Sequence, residues 1–198
     1  MGSVRGRVGI GPHPGGLSRV SFATMPKRST RPFRVALIST GGTIEKTYNE
    51  LHGVLTNDVS VLDVMLAGLE LGDMEIERVS LMNKDSLEMT EEDHQLIADT
   101  ALHKSREFDG VIIVHGTDRL AVTGEVIYDM EPKPKVPIVL TGAMRPYELR
   151  TSDSVQNIVE SLFAVQLAKR GVYVAMHNKL LTFPGIRKDI ESGTFVKD

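Results

Sequence analysis

The sequence contains no cysteine and no tryptophan. Without cysteine there is no disulfide framework, no cysteine-ligated zinc and no thiol nucleophile. Without tryptophan, and with aromatic residues at only 5%, a flavin-stacking platform is poorly supplied. No apolar run approaches the roughly 20 residues a membrane-spanning helix needs. No long apolar stretch follows the early basic residues, so a secretory signal is not expected. The expected location is cytoplasmic, with no membrane partner.

Acidic residues are missing from the whole stretch before Glu45, which carries seven of the 23 Lys and Arg. The remainder then holds 16 bases against 26 acids, and an acidic body argues against nucleic acid as a partner. Residues 1–31 are rich in Gly, Pro, Ser and Arg and lack apolar periodicity. They read as a disordered N-terminal extension. A transit peptide, a basic arm and a start at Met25 upstream of the first strand are its three readings, the last preferred.

From residue 32 to 198 one α/β domain is expected. The order is strand 34–39, polar loop 40–57 with hairpin character, helix 58–70, strand 74–82 and helix 90–107. Strand 109–114, helix 119–130, strand 136–140, helix 153–169 and strand 171–176 follow. The tail 177–198 reads as a polar loop. Nearly continuous apolar strands between amphipathic helices imply a mainly parallel sheet covered on both faces, a three-layer sandwich. Thr90 followed by three acids marks a helix start.

Three strands end in small polar segments: Ser-Thr-Gly-Gly-Thr at 39–43, His-Gly-Thr-Asp at 115–118 and Thr-Gly-Ala-Met-Arg-Pro at 141–146. In a parallel sheet these ends share one edge, where ligands of open α/β sheets bind. The convergence would bring together the hydroxyls of Thr43 and Thr117 and the carboxylate of Asp118. Backbone amides at the glycine turns suit a developing oxyanion. Each segment alone has a plainer reading. Gly-Gly-Thr can be a simple turn, His-Gly-Thr-Asp a helix start and Arg145 a surface charge. A phosphate loop is disfavoured, because the first segment lacks the Lys-Ser/Thr ending. His94, His103 and His177 lack metal-ligand spacing, and no metal is expected. His115, ending a buried-type strand, reads as a packed, hydrogen-bonded histidine rather than a triad member.

Taken together, Thr-Gly-Gly-Thr-Ile (40–44), Gly-Val-Ile-Ile-Val-His-Gly-Thr-Asp (110–118) and Leu-Thr-Gly-Ala-Met-Arg-Pro (140–146) resemble, in order, segments of the bacterial-type L-asparaginases and their glutaminase relatives. The resemblance runs over about 33–191 and implies a flavodoxin-like sheet. It implies catalytic roles for Thr43 as nucleophile, Tyr48 nearby in the following loop, Thr117, and Lys188 paired with Thr117 and Asp118. It implies substrate contacts at Ser86, Asp118, Ala143, Gly42 and Gly116. The implied reaction is hydrolysis of L-asparagine to L-aspartate and ammonia through an acyl-enzyme, with no cofactor. Glutaminase or tRNA-dependent amidotransferase activity are close variants. A non-catalytic amino-acid-binding module and a flavodoxin-like nucleotide binder are the competing classes. Typical members carry a second domain after this one, so the resemblance also implies a short-chain form and a homo-oligomer, dimer or tetramer. Leu87 stands where many relatives carry a polar glutamine.

Overall fold

The computed structural model describes residues 31–56 and 61–197. Residues 1–30 of the expected N-terminal extension and the first residues of the expected helix 58–70 therefore lie outside the described residues.

β1 (Phe33–Gly41), β4 (Met74–Lys84), β5 (Gly110–Val114), β6 (Ile138–Thr141), β7 (Val172–Met176) and β8 (Lys179–Thr182) form one six-stranded sheet. Its order is β4-β1-β5-β6-β7-β8. The first five strands are parallel, and β8 pairs antiparallel with β7 at the edge. Counted along the sheet, the parallel strands run 2-1-3-4-5, the doubly wound order of flavodoxin-like folds. The order reverses between β1 and β5, so a crevice opens beyond their carboxyl ends.

The strands alternate strictly between two cores. Ala36, Ile38, Val111, Ile113, Leu140 and Val174 point to one side. There they meet α2 (Glu91–Lys104) and α3 (Leu120–Met130) through Ile97, Ala98, Leu120 and Ile127. Val35, Leu37, Ile112, Val114, Val139 and Tyr173 point to the other. They meet α1 (Leu62–Ala67) and α4 (Ser154–Leu167) through Leu62, Met65, Ile158 and Leu162. Two-sided burial is why these strands read as unbroken apolar runs. The three layers and the parallel sheet follow the sequence expectation.

α2 begins with a reciprocal cap. Thr90 Oγ1 accepts from Asp93 N at 3.3 Å, and Asp93 Oδ2 accepts from Thr90 N at 2.9 Å. The loop 40–57 contains a 3₁₀ turn (Thr43–Glu45) and a hairpin of β2 (Thr47–Asn49) and β3 (Val54–Thr56).

The tail departs from expectation. Residues 177–197 are not a loop: they supply β8 and a hairpin of β9 (Ile186–Asp189) and β10 (Thr194–Lys197). His177 and Asn178 form the two-residue turn into β8, with φ of 53° and 58°. Both angles positive suit the twist of an antiparallel pair. The apolar residues of the tail come singly or in pairs among polar ones, so no period shows. Yet Phe183, Ile186 and Phe195 are all buried in the core beneath α2 and α3. Phe195 is 1% exposed. Phe195→Ala is expected to lower unfolding free energy by about 3–5 kcal/mol in urea titration. A loss under about 1 kcal/mol would mean the tail is not part of this core.

Candidate active site

The site is assembled by backbone contact before any side chain acts. Gly42 follows β1 with φ of 86°, a conformation open to glycine at little cost. A Cβ at Gly42 would lie 2.5 Å from Gly116 Cα. A Cβ at Gly116 would lie 2.5 Å from Ser86 Oγ, and one at Gly142 would lie 2.3 Å from His115 O. The ends of β1, β5 and β6, and the 3₁₀ turn Ser86–Glu88 after β4, therefore touch at the switch point of the sheet.

The threonines there divide into two kinds. Thr40 Oγ1 donates to Val114 O at 3.0 Å, and Thr141 Oγ1 donates to Ala175 O at 2.8 Å. Both staple strand ends. Thr117 instead accepts from Lys188 Nζ at 2.8 Å, and the same ammonium reaches Asp118 Oδ1 at 2.7 Å. Lys188 stands on β9, in the stretch expected to be a loop, and the hairpin aims it 70 residues back along the chain. Thr117 is buried, whereas Asp118 keeps substantial exposure toward the crevice. Thr43 is half-buried in the 3₁₀ turn directly after Gly42.

Ser86 is 1% exposed, and its Oγ has no hydrogen-bond partner in the protein. A buried hydroxyl left unsatisfied costs free energy. Asp85 fixes the turn beneath it. Its Oδ1 accepts from Leu87 N at 3.1 Å, and its Oδ2 accepts from Lys46 Nζ at 2.8 Å. The Lys46 bond, then the Leu87 amide, hold the Asp85 carboxyl below the usual range.

Ala143 is buried. Its loop is pinned from α4, a role that went unread in the sequence. Asp153 accepts from Met144 N at 3.0 Å, Arg145 N at 2.9 Å and Asn157 Nδ2 at 2.9 Å. Asn157 Nδ2 also donates to Gly142 O at 2.8 Å, and His177 Nε2 lies 2.7 Å from Asp153 Oδ2. An aspartate just ahead of a helix reads as a cap, but Asp153 makes no cap bond and turns back onto the loop. Burial works against its charge, yet these donors together keep its carboxyl below the usual range.

Tyr48 is not brought into the cluster. It is 59% exposed on the β2–β3 hairpin, tethered by its backbone N donating to Glu148 Oε2 at 2.6 Å. Among the described residues no group of His, Cys, Asp and Glu is arranged to hold a metal. No described helix is long and apolar enough to cross a membrane. His115 is fully buried. Its ring is bonded on both nitrogens, to Gly116 O and Thr123 Oγ1, each at 2.8 Å. Burial holds its pKa down at about 4.

Residues 34–193 match the family model described as Asparaginase, N-terminal. The L-asparaginase of Thermococcus kodakarensis is 33% identical over 152 residues, covering 75% of this chain and 45% of that protein. A glutamyl-tRNA(Gln) amidotransferase component from Haloquadratum walsbyi is 34% identical over 145 residues, covering 72% of this chain and 33% of that protein. The chain thus spans between a third and a half of these relatives. Among solved structures, the thermostable T. kodakarensis L-asparaginase superposes with a TM-score of 0.73 at 30% identity, over 83% of this chain and 51% of that one. L-asparaginase I of Vibrio cholerae gives 0.72 at 23% identity, over 84% and 51%, a likeness of fold.

Two outcomes test this geometry. Gly116→Ala drives a methyl into Ser86 and is expected to cost about 1–3 kcal/mol of stability, read by urea titration. Parent-like stability would mean the Gly116–Ser86 contact is looser than described. His115 ordinarily titrates near 6.5 but folded only near 4. Between those values the unfolded chain binds the proton first. Stability present above 6.5 is therefore lost as pH falls toward 4, by on the order of 3 kcal/mol at most. Urea titrations across that window check the slope, and a flat profile would contradict it.

Proposed function

This chain belongs to the asparaginase family, and from that premise we propose that it hydrolyses the side-chain amide of L-asparagine to L-aspartate and ammonia. The observation that carries the reading is the contact of Lys188 Nζ with both Thr117 Oγ1 and Asp118 Oδ1, at 2.8 and 2.7 Å. Two segments 70 residues apart in sequence meet there, bringing an amine, a hydroxyl and a carboxylate into one hydrogen-bonded group. A threonine hydroxyl is a weak nucleophile that requires a neighbouring network to take its proton.

In this reading Thr43 Oγ attacks the amide carbonyl. The C–N bond breaks as Thr117 Oγ takes the Thr43 proton and passes its own hydrogen to the leaving nitrogen, which departs as ammonia, while Lys188 holds Thr117 in place. Water then attacks the acyl-threonine, returns a proton to Thr43 Oγ and releases L-aspartate. Asp118 receives the substrate's ammonium. The unpartnered Ser86 Oγ donates to its α-carboxylate, and amides of the Gly42 and Gly116 segments face the developing charge. Ala143 presents its backbone to the leaving amide. Tyr48 enters when the hairpin folds over the bound substrate, a gating motion of the kind common to active-site loops.

A second reading rests on the likeness to the H. walsbyi amidotransferase component, 34% identical: the amide consumed is that of glutamine. Ammonia release from L-asparagine and L-glutamine, by the parent, Thr43→Ala and Thr117→Ala, separates the two. Asparagine turnover that falls by about three orders of magnitude or more in both variants is the expected result. Preference for glutamine supports the second reading. A folded parent without turnover, whose melting temperature still rises with L-aspartate, marks a binding module instead.

A further inference from the structure

Behind the site, on the side of α2 and α3, lies a buried polar chain that the proposed reaction does not use. His94 Nδ1 is 2.7 Å from Thr123 Oγ1, and Thr123 Oγ1 is 2.8 Å from His115 Nε2. His115 Nδ1 is 2.8 Å from Gly116 O. Thr123 and His115 are fully buried, and His94 is 4% exposed. The two imidazoles stack with centroids 6.2 Å apart.

The direction of every proton in this chain follows from its last member. Gly116 O is a carbonyl and can only accept, so His115 Nδ1 carries hydrogen. A buried imidazole held neutral then has a bare Nε2. Thr123 must donate its one hydroxyl hydrogen to that nitrogen. Thr123 Oγ can then only accept from His94, so His94 Nδ1 also carries hydrogen. Free neutral histidine prefers hydrogen on Nε2, so both rings are held in their less favoured tautomer by their partners.

We infer that His115 is a positioning residue: the one-way chain His94 Nδ1–H to Thr123 Oγ, Thr123 Oγ–H to His115 Nε2, and His115 Nδ1–H to Gly116 O braces the peptide that carries Thr117. The braced peptide is the one on which the site is stacked. Gly42 and Ser86 pack against Gly116, and Gly142 packs against His115 O. Hydrogen bonds in series polarise one another, so the chain also sharpens the dipole of the Gly116–Thr117 peptide. Two ionised groups act on the outer ring: Arg119 and Asp93 oppose each other at His94. Asp93 is itself bonded to Lys84 Nζ at 2.7 Å. Burial first, and then the Arg119 charge, favour the neutral His94 ring against the opposing pull of Asp93.

The catalytic part of this inference rests on the amidohydrolase reading, whereas its tautomer and backbone parts do not. Nitrogen NMR of the full chain with labelled imidazoles, the six histidines assigned by single substitution, reads the tautomers directly. The expected result is hydrogen on Nδ1 and a bare Nε2 for both His94 and His115 at about pH 7. Hydrogen on Nε2 of His115, or an imidazolium there, would overturn the chain. Thr123→Val keeps shape but removes both the donor and the acceptor, and Thr123→Ser restores them. Val is expected to shift the Thr117 backbone amide and lower kcat by about ten- to a hundredfold with KM nearly unchanged, and Ser to return both toward the parent. A Thr117 amide unmoved in the Val variant would overturn the bracing role even if stability fell. A parent that releases no ammonia would sink the amidohydrolase reading, while the tautomers and the Thr117 amide still decide this one.

Discussion

The whole site depends on one steric constraint, the packing of backbone directly on backbone where β1 and β5 end. The sheet order reverses between these strands, which opens a crevice, but a crevice is useful only if the chains lining it come close together. Here they approach until no side chain fits between them. Gly42 rests on Gly116, Gly116 rests on Ser86, and Gly142 rests on the carbonyl of His115. The glycines therefore serve geometry first. They set four chain segments at contact distance, and the hydroxyls and charges beside them inherit that placement.

Charges around this core are held by partners that are also scaffolds. Asp85 ties Lys46, which links the Thr43–Glu45 turn to β2, to the turn that presents Ser86. Asp153 ties the loop of Ala143 to α4 and the turn at His177. Both carboxyls are kept ionised by their donors, so each stays an acceptor throughout the neutral range. Buried or half-buried carboxylates of this kind cost free energy unless fully bonded, and their retention is better understood as a demand for position than as a gain in stability. Lys188 differs, because it joins a buried hydroxyl, Thr117, to a part-exposed carboxylate, Asp118. It joins the scaffold of the tail hairpin to the groups that would meet a substrate.

Much of this was legible in the sequence, for physical reasons. Strands buried on both faces must be apolar throughout, so β1, β5, β6 and β7 announced themselves. The parallel sheet then required their polar ends to share an edge, from which the convergence of Thr43, Thr117 and Asp118 was expected, whereas Ala143 entered by resemblance. The acids after Thr90 marked α2 because a helix start attracts them. The tail was illegible for the opposite reason. Its strands are four residues long, and β9 and β10 pair only with each other, so each buries one or two side chains and shows no period. Lys188 drew its role from resemblance alone, since nothing local distinguishes it from a surface lysine. Asp153 and Asn157 were hidden because their partners are backbone atoms of another segment, which no spacing records.

The deeper difficulty is that a sequence lists hydroxyls without saying which are already engaged. Thr40, Thr43, Thr117 and Thr141 lie in the three polar segments and Thr123 and Ser86 outside them, and by residue type any of the six could carry chemistry. Hydrogen-bond accounting separates them. Thr40 and Thr141 donate to strand carbonyls, so their hydrogens are committed to closing the sheet. Thr123 has both its donor and its acceptor engaged by histidines. Thr117 accepts from Lys188, which leaves its own hydrogen free to be given away. Ser86 is buried and engaged by nothing. A folded chain satisfies its interior polar groups wherever it can. Among the described residues, the hydroxyls with capacity left over where these four segments converge are those of Thr117 and Ser86, and that leftover capacity, not residue type, is what sets them apart from Thr40, Thr123 and Thr141.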